Sequence, residues 1–453
     1  MFDLIVLGGG PGGYLAAERA GAAGLKTLLI EKNKIGGVCL NEGCIPSKTL
    51  LNSAKIFDHA QNGQKYGVTA ENVRLDQAAV VARKNKVVRN LVNGIKHSLK
   101  TSQVTVKEGF GTILGRSEGV IRVQAGDEVF DGSRLLIATG SEAIVPPIPG
   151  VREGLADGTV LTNREILDLQ EIPATLAVVG GGVIGLEMAG YFQTCGCQVT
   201  VIEMLDHIAG PADREMAALL QKAFTKKGIR FCLNSQVTAI GPGKVEYRDQ
   251  EGAKSVEAAY TLLSVGRRPV TKGFGLENIG VLLERGHIVT DAQGRTNIPG
   301  VYAVGDVNGV WMLAHAAYRE AEVAVNTILG QKDQMRYQAV PSVIYTNPEM
   351  AFVGETEESC RDKGLAYRKV TLPMSFSGRY MAENDGGEGM IKLLIDPAHN
   401  RLLGCHMLGS YASEIILAAG ILVETEMRIE DIKELVFPHP TVGEIIREAI
   451  FHA

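Results

Sequence analysis

Leu4-Ile5-Val6-Leu7-Gly8-Gly9-Gly10-Pro11-Gly12-Gly13-Tyr14 opens the chain with an apolar run that breaks into glycines and then into an Ala-rich stretch. Such a short, glycine-bounded run reads as a buried parallel strand. Gly8, Gly10 and Gly13 form G-x-G-x-x-G at the point where a helix should begin. The first two glycines allow a tight turn and close backbone approach to a pyrophosphate; the third lets the helix pack on the strand. Free N–H groups at the helix start favour phosphate charge. Residues 27–30 read as the next strand, and Glu31 at its end can bond ribose hydroxyls.

One such fingerprint is weak, since Gly-rich turns are common. Here it recurs. Gly180, Gly182 and Gly185 follow an apolar run at 176–179, and a second run at 199–202 leads into Glu203. Both acids lie 23 residues after the first glycine, and every matched position is offset by 172. Two units on one ruler predict two dinucleotide sites; solvated strand-end carboxylates are the plain alternative for Glu31 and Glu203.

Directly behind the first unit stands Gly36-Gly37-Val38-Cys39-Leu40-Asn41-Glu42-Gly43-Cys44-Ile45-Pro46-Ser47-Lys48. A disulfide needs Cα atoms about 4.4–6.8 Å apart, whereas five steps of helix rise about 7.5 Å. The segment must therefore bend, and Gly43 permits it. A strained, accessible disulfide is of the reducible kind, so beside a redox cofactor the pair would relay two electrons. A zinc knuckle and two unrelated thiols remain alternatives. Zinc usually wants a second close Cys or His pair, and Cys195, Cys197, Cys232, Cys360 and Cys405 offer no convincing one.

The two dinucleotide sites should hold different ligands. The first, followed by the cysteines, needs a group that exchanges electrons with sulfur and accepts hydride, which a flavin does. The second is then the nicotinamide site. Glu203 would repel a 2′-phosphate, and Met204-Leu205-Asp206 offers no nearby arginine to attract one, so NAD is favoured over NADP.

At 453 residues the chain should hold about two to four domains. Its composition is globular, and 54 glycines suit Gly-rich nucleotide loops. A net charge of −5 gives the whole chain no basic footprint, so nucleic acid is not an expected partner. Seven scattered cysteines do not read as a secreted disulfide framework. No apolar run reaches membrane-span length, residues 415–423 being the densest. A first strand starting at Phe2 leaves no room for a signal or transit peptide, and a cytoplasmic location is expected.

Elsewhere, Lys48 falls about one turn after Cys44 if a helix has begun there; a solvated lysine is the alternative. Residues 74–102 suggest a long amphipathic helix and 135–139 a strand. Residues 146–150, with three prolines, read as a linker. Residues 301–306 form a strand ending in Gly-Asp, whose Asp306 could take a sugar hydroxyl or cap a helix. Residues 341–346 are β-like, and helical periodicity returns in the last 40 or so residues. In Phe437-Pro438-His439-Pro440-Thr441-Val442-Gly443-Glu444, Thr441 and Glu444 fit a capping box. His439, between prolines at a helix start, is an odd place for a filler histidine.

GGGPGGY, GGVCLNEGCIPSK, LLIATGS, VGGGVIGLE, SVGRRP, the 301–306 run, MLAHAA, VPSVIYTNPE and HPTVGE occur in this order along the chain. In them the sequence resembles the pyridine nucleotide-disulfide oxidoreductase family and, within it, the dihydrolipoyl dehydrogenases. The resemblance implies FAD on Gly8, Gly10, Gly13, Glu31, Lys48, Gly140 and Asp306, with Met312, Ala314 and His315 running past the flavin. It implies NAD on Gly180, Gly182, Gly185, Glu203 and Gly266. Cys39 would exchange with the substrate disulfide, Cys44 would sit against the flavin, and Lys48 would pair with Glu187. His439, oriented by Glu444, would reach across a twofold interface to the other subunit's cysteines. Phe437 is a departure, standing where dihydrolipoyl dehydrogenases often carry a second histidine.

The implied fold is α/β: two Rossmann-like dinucleotide-binding domains plus a C-terminal α+β dimerisation domain. Its segments are 1–145 (FAD, first part), 146–263 (NAD), 264–336 (FAD, second part) and 337–453 (interface). The implied enzyme is a homodimer, without a metal, that oxidises protein-bound dihydrolipoyl groups with NAD. Its partner would be a lipoyl-bearing protein of a 2-oxoacid dehydrogenase or glycine cleavage complex. Another NAD(P)H-dependent disulfide reductase of the family, or a non-turnover FAD/NAD electron-transfer subunit, remain the alternatives. The chain ends Ile450-Phe451-His452-Ala453, without the C-terminal cysteines of mercuric reductase-like enzymes.

Overall fold

Leu4–Leu7 is apolar at every position because both faces of its sheet are covered. In the computed structural model, which describes residues 1–384 and 388–453, this strand is central to a five-stranded parallel sheet. The order is Val301–Ala303, Leu135–Ile137, Leu4–Leu7, Thr27–Glu31, Thr105–Glu108. Small residues Ala16, Ala17 and Ala20 of the helix Pro11–Ala22 pack with Ala321 and Ala324 of the helix Ala314–Ile328 over one face. A three-stranded antiparallel meander, Gly111–Ser117 to Glu128–Gly132, supplies Ile113, Ile121 and Val123 to the other. These elements belong to a unit made of Met1–Thr49, Val81–Ile144 and Gly266–Arg336.

A second unit comprises Leu50–Val80, Val145–Val265 and Tyr337–Ala453. Its parallel sheet runs Arg230–Cys232, Gln198–Ile202, Thr175–Val179, Tyr260–Leu263, Val160–Leu161, again with an antiparallel meander, Gln236–Gly241 to Gly252–Glu257. The same unit holds a five-stranded antiparallel sheet, Ser342–Ile344, Met350–Gly354, Arg401–Leu408, Met390–Asp396, Arg368–Pro373. Helices Ala412–Glu424 and Glu444–Phe451 bury Ile416, Ala419, Ile445 and Ile446 against it. The architecture is thus two Rossmann-like domains plus a C-terminal α+β domain. Residues 50–80 group with the second unit, so the chain passes between units within the helices Cys44–Gln61 and Gln77–Thr101.

The expected helix at 74–102 is Gln77–Thr101, and the β-like 341–346 run contributes the strand Ser342–Ile344. The Gly-Asp strand ends at Ala303 and passes into one 3-10 turn, Gly305–Asn308. The capping box needs correction. The helix starts after Gly443, and the Thr441 hydroxyl donates to Pro438 O at 2.9 Å instead of capping Glu444. Only the reverse half forms, with Thr441 N–H donating to Glu444 Oε2 at 2.8 Å.

Lys392 on the antiparallel sheet is wholly buried, its Nζ 2.8 Å from Asp213, 2.7 Å from Glu215 and 2.7 Å from Glu357. Asp213 also caps the helix Arg214–Lys226, accepting from Glu215 and Met216 N–H. The buried charge is therefore both paired and hydrogen-bonded, as burial demands.

Candidate active site

The two glycine turns repeat to the level of single hydrogen bonds. Gly8 and Gly180 adopt φ of 100° and 104°, a left-handed backbone that a side chain would strain. A Cβ on Gly13 would lie 1.8 Å from Gly8 O, and one on Gly185 2.3 Å from Gly180 O. Each helix starts behind an extended glycine, Gly10 or Gly182, and Pro11 takes the first helical position, where its missing N–H costs nothing. Beside Gly182 the space is open, with no atom within 4 Å of an added Cβ. The third glycine of each copy is thus required by packing, while the second leaves room for a pyrophosphate. This fits a dinucleotide in both copies.

The strand-end acids match as well. Glu31 accepts N–H groups from Gly9 at 2.5 Å and Asn33 at 2.7 Å; Glu203 accepts from Gly181 at 2.6 Å and Leu205 at 2.8 Å. Both carboxylates are fixed at the lip of their glycine turn. The fold amends one expectation at the second site: Arg214, eleven residues after Glu203 in sequence, reaches Asp206 at 2.9 Å. That arginine is already paired, and His207 Nδ1 lies on the same Asp206 oxygen at 2.7 Å. These contacts hold the Asp206 carboxyl below the usual aspartate value, the His207 bond leading.

Cys39 and Cys44 form a disulfide with Cα atoms 4.7 Å apart. A short helix, Gly37–Glu42, stops at Gly43, and a second begins at Cys44, so the bend lies where the sequence demanded it. The disulfide displaces the zinc alternative. The segment is laid against the first glycine turn: Gly36 N–H donates to Gly9 O at 2.8 Å, and a Cβ on Gly37 would come 2.6 Å from Gly10 Cα. Both cysteines are half-buried. Elsewhere burial pushes the thiols of Cys195 and Cys197 up to about 12, which leaves them inert.

Asp306 sits in the turn after its strand, where Ser141 donates its hydroxyl to Oδ2 at 2.5 Å. Arg267 Nε in turn donates to Ser141 Oγ at 2.7 Å. Buried Glu320 accepts Gly305 N–H at 2.6 Å and Asn308 Nδ2 at 3.0 Å, bracing the same turn. Ser141, Arg267 and Glu320 were not among the expected residues. The first two adjoin Gly140 and Gly266 inside the LLIATGS and SVGRRP motifs, so the signal was present but attached to the neighbouring glycines. Met312 is half-buried, Ala314 opens the helix Ala314–Ile328, and His315 on its first turn is exposed.

Lys48 lies on the helix Cys44–Gln61, one turn past Cys44. Glu187 lies buried on the helix Val183–Thr194 and accepts Tyr345 N–H at 3.0 Å. His439 Nδ1 meets Glu444 Oε1 at 2.9 Å, with 78% of the His439 side chain exposed and 16% of Glu444. The Thr441 N–H, and after it His439, hold the Glu444 carboxyl below the ordinary glutamate value against a small burial penalty. Phe437 packs on the core of the antiparallel sheet, an apolar use of that position.

Among the described residues no helix is long and apolar enough to cross a membrane. Over nearly its whole length the chain is 37% identical to dihydrolipoyl dehydrogenase of Chlamydia muridarum, covering 99% of this chain and 96% of that one. It is likewise 37% identical to the human mitochondrial dihydrolipoyl dehydrogenase, at 99% and 89% coverage. Among solved structures it is similar to LpdA from Mycobacterium tuberculosis, with TM-score 0.90, 27% identity and 99% of each chain covered. It is also similar to the HOCl-induced flavoprotein disulfide reductase RclA from Escherichia coli, with TM-score 0.86, 27% identity and 99% of each chain covered. Residues 340–450 match a pyridine nucleotide-disulphide oxidoreductase dimerisation domain, which supports homodimer assembly. Since residues 2–321 match the pyridine nucleotide-disulphide oxidoreductase family itself, the chain belongs to that family.

Proposed function

We propose that the chain is an NAD-dependent dihydrolipoyl dehydrogenase that uses FAD. The observation that carries this reading is the half-buried Cys39–Cys44 disulfide laid against the first glycine turn. The name borne by the 37% identical relatives agrees with it. FAD would be held by Gly8, Gly10, Gly13, Glu31, Lys48, Gly140 and Asp306, with Met312, Ala314 and His315 alongside. NAD would be held by Gly180, Gly182, Gly185, Glu203 and Gly266. Bound FAD supplies the two-electron carrier between the cysteine pair and NAD.

The residues divide the work as follows. With Nδ1 facing Glu444, His439 presents Nε2 as the basic nitrogen and removes a proton from the dithiol. The resulting thiolate attacks Cys39 Sγ, the Cys39–Cys44 bond breaks, and Cys44 leaves as a thiolate. The second substrate thiol then attacks the substrate sulfur of the mixed disulfide, and Cys39 leaves as a thiol carrying that thiol's proton. The substrate has lost two electrons to the cysteine pair and two protons, one to His439 and one to Cys39. Lys48 places a positive charge on the cysteine helix. The exposure of His439 on its own chain suits a base that serves the partner's cysteines.

The proposal includes a lipoyl-bearing partner protein and the division into 1–145 and 264–336 (FAD), 146–263 (NAD) and 337–453 (interface). It also includes a cytoplasmic location, which suits a chain whose other five cysteines are all free. The test is turnover of dihydrolipoamide with NAD by the purified protein. Robust NADH formation that Cys39→Ser abolishes supports the reading; a flavoprotein that oxidises NADH with dyes yet never turns over the dithiol refutes it.

A further inference from the structure

The helix Gln77–Thr101 carries Arg83, Lys84, Lys86, Arg89, Lys96 and Lys100 and not one aspartate or glutamate. The chain as a whole carries −5, so the remainder carries −11 once these six charges are set aside. Lys84 is buried and engaged. The other five are exposed, and among the described residues none has an ion pair or side-chain hydrogen bond. At about 100° per residue they fall, with His97, within about 140° of the helix circumference and along about 26 Å. Val92, Ile95 and Leu99, on the opposite side, pack into the core.

An ordinary solvated helix face mixes signs through i,i+4 pairs. Here Arg83, Lys86 and Arg89 stand three apart and Lys96 and Lys100 four apart, so like charges are neighbours, which weakens the helix. Elsewhere on the same unit cations do find acids, as Lys107 does with Glu128 and Arg122 with Asp131.

We propose that this cationic face is a docking surface for the protein that carries the dithiol, engaging an acidic face of a lipoyl-bearing domain. The proposal rests on the lipoyl reading above. A small free dithiol has no use for a track of this length; a macromolecular carrier does. The helix has no Phe, Tyr or Trp to form a platform on which successive bases could stack. Its apolar side lies largely in the core and Leu91 is its one exposed large apolar side chain, too little to insert into a bilayer. The −11 carried by the rest of the chain opposes any extended polyanion that overruns the helix.

The test is the triple variant Lys86→Glu/Arg89→Glu/Lys96→Glu, all exposed positions, with NADH-to-dye activity reporting an intact fold. It is assayed with free dihydrolipoamide and with an isolated, reduced lipoyl domain of acidic surface. At low salt, kcat/KM for the domain should fall by about tenfold or more, while the value for free dihydrolipoamide stays within about twofold. High salt should erase the wild-type advantage, and amidating the domain's carboxylates should reproduce the loss with wild-type enzyme. Unchanged kcat/KM for the domain overturns the docking surface. So does binding of duplex DNA or phosphatidylserine vesicles that the variant loses while domain turnover persists. A wild type inactive on free dihydrolipoamide overturns the lipoyl reading itself, and the docking proposal with it.

Discussion

Glu444 serves two partners at once, His439 Nδ1 on Oε1 at 2.9 Å and Thr441 N–H on Oε2 at 2.8 Å. The carboxylate thus orders the start of the last helix and the tautomer of the exposed histidine in one contact set. Those two roles separate under substitution. In Glu444→Gln the introduced amide has one acceptor oxygen, enough for Thr441 or for His439 but not both. kcat for dihydrolipoamide should fall at least about tenfold while Tm changes little, and His439→Gln should cost about 10²–10⁴-fold with dye reduction by NADH spared. A lowered Tm with intact kcat would reduce Glu444 to a helix cap.

The cysteine assignment is checked by spectroscopy. After two-electron reduction a thiolate packed on oxidised flavin should give a long-wavelength absorbance. Cys44→Ser should lose that absorbance, whereas Cys39→Ser should keep a thiolate–flavin band without turnover. Persistence of the band in Cys44→Ser would exchange the roles of the two sulfurs.

Nicotinamide preference should follow charge around the second ribose. Wild-type kcat/KM should favour NADH over NADPH strongly, because a 2′-phosphate would meet Glu203. Glu203→Gln should narrow the ratio. Asp206→Asn should narrow it further by about two- to fivefold, since the exposed Asp206–Arg214 pair is worth only about 0.2–1 kcal/mol. Equal use of both coenzymes by the wild type would remove the ribose argument.

What the sequence made legible was what the backbone enforces locally. Gly8 must be glycine for its own left-handed φ, and Gly13 because a Cβ there would strike Gly8 O five residues back, so their pattern survives in one dimension and repeats at Gly180 and Gly185. The bend at Gly43 between two cysteines is of the same kind. Ser141 and Asp306 lie 165 positions apart, and Lys392 and Asp213 lie 179 apart; no periodicity announces such pairs. Arg214 was passed over because its approach to Asp206 runs through a turn, not along a strand or helix. Thr441 shows the limit of a local motif: the S/T-x-x-E spacing is present, but Pro438 O takes the hydroxyl and only the Glu444 half of the box forms.

Acid stability should depend on the buried Lys392 cluster. Burial pushes the Glu357 carboxyl up, but hydrogen bonds from Lys392, Lys369 and Tyr367 bring it down to about 2. A carboxyl lowered on folding stabilises above its unfolded pKa, and that contribution fades as pH falls toward the folded value. Glu357→Gln should therefore lower Tm at neutral pH, with the gap to wild type closing between the ordinary glutamate range and about pH 2. Parallel Tm curves across that window would remove Glu357 from the acid response. Lys392→Met should cost more, about 3–5 kcal/mol, because it leaves buried Asp213 unpaired.

The placement of His439 in the partner's site has a stringent test, because complementation depends on geometry and not on rate. Cys44→Ser and His439→Gln chains are each inactive toward dihydrolipoamide for different reasons. If the histidine serves the other subunit, a hybrid dimer has one site with intact cysteines and an intact partner histidine, and one site lacking both. Random exchange makes about half the dimers hybrid, so about a quarter of wild-type sites should return. If the histidine serves its own subunit, every site in the hybrid retains one lesion and no activity returns. Subunit exchange must be shown independently, for example by mass-tagged chains. Activity near a quarter then fixes the base in trans, and silence despite exchange moves it out of the partner's site.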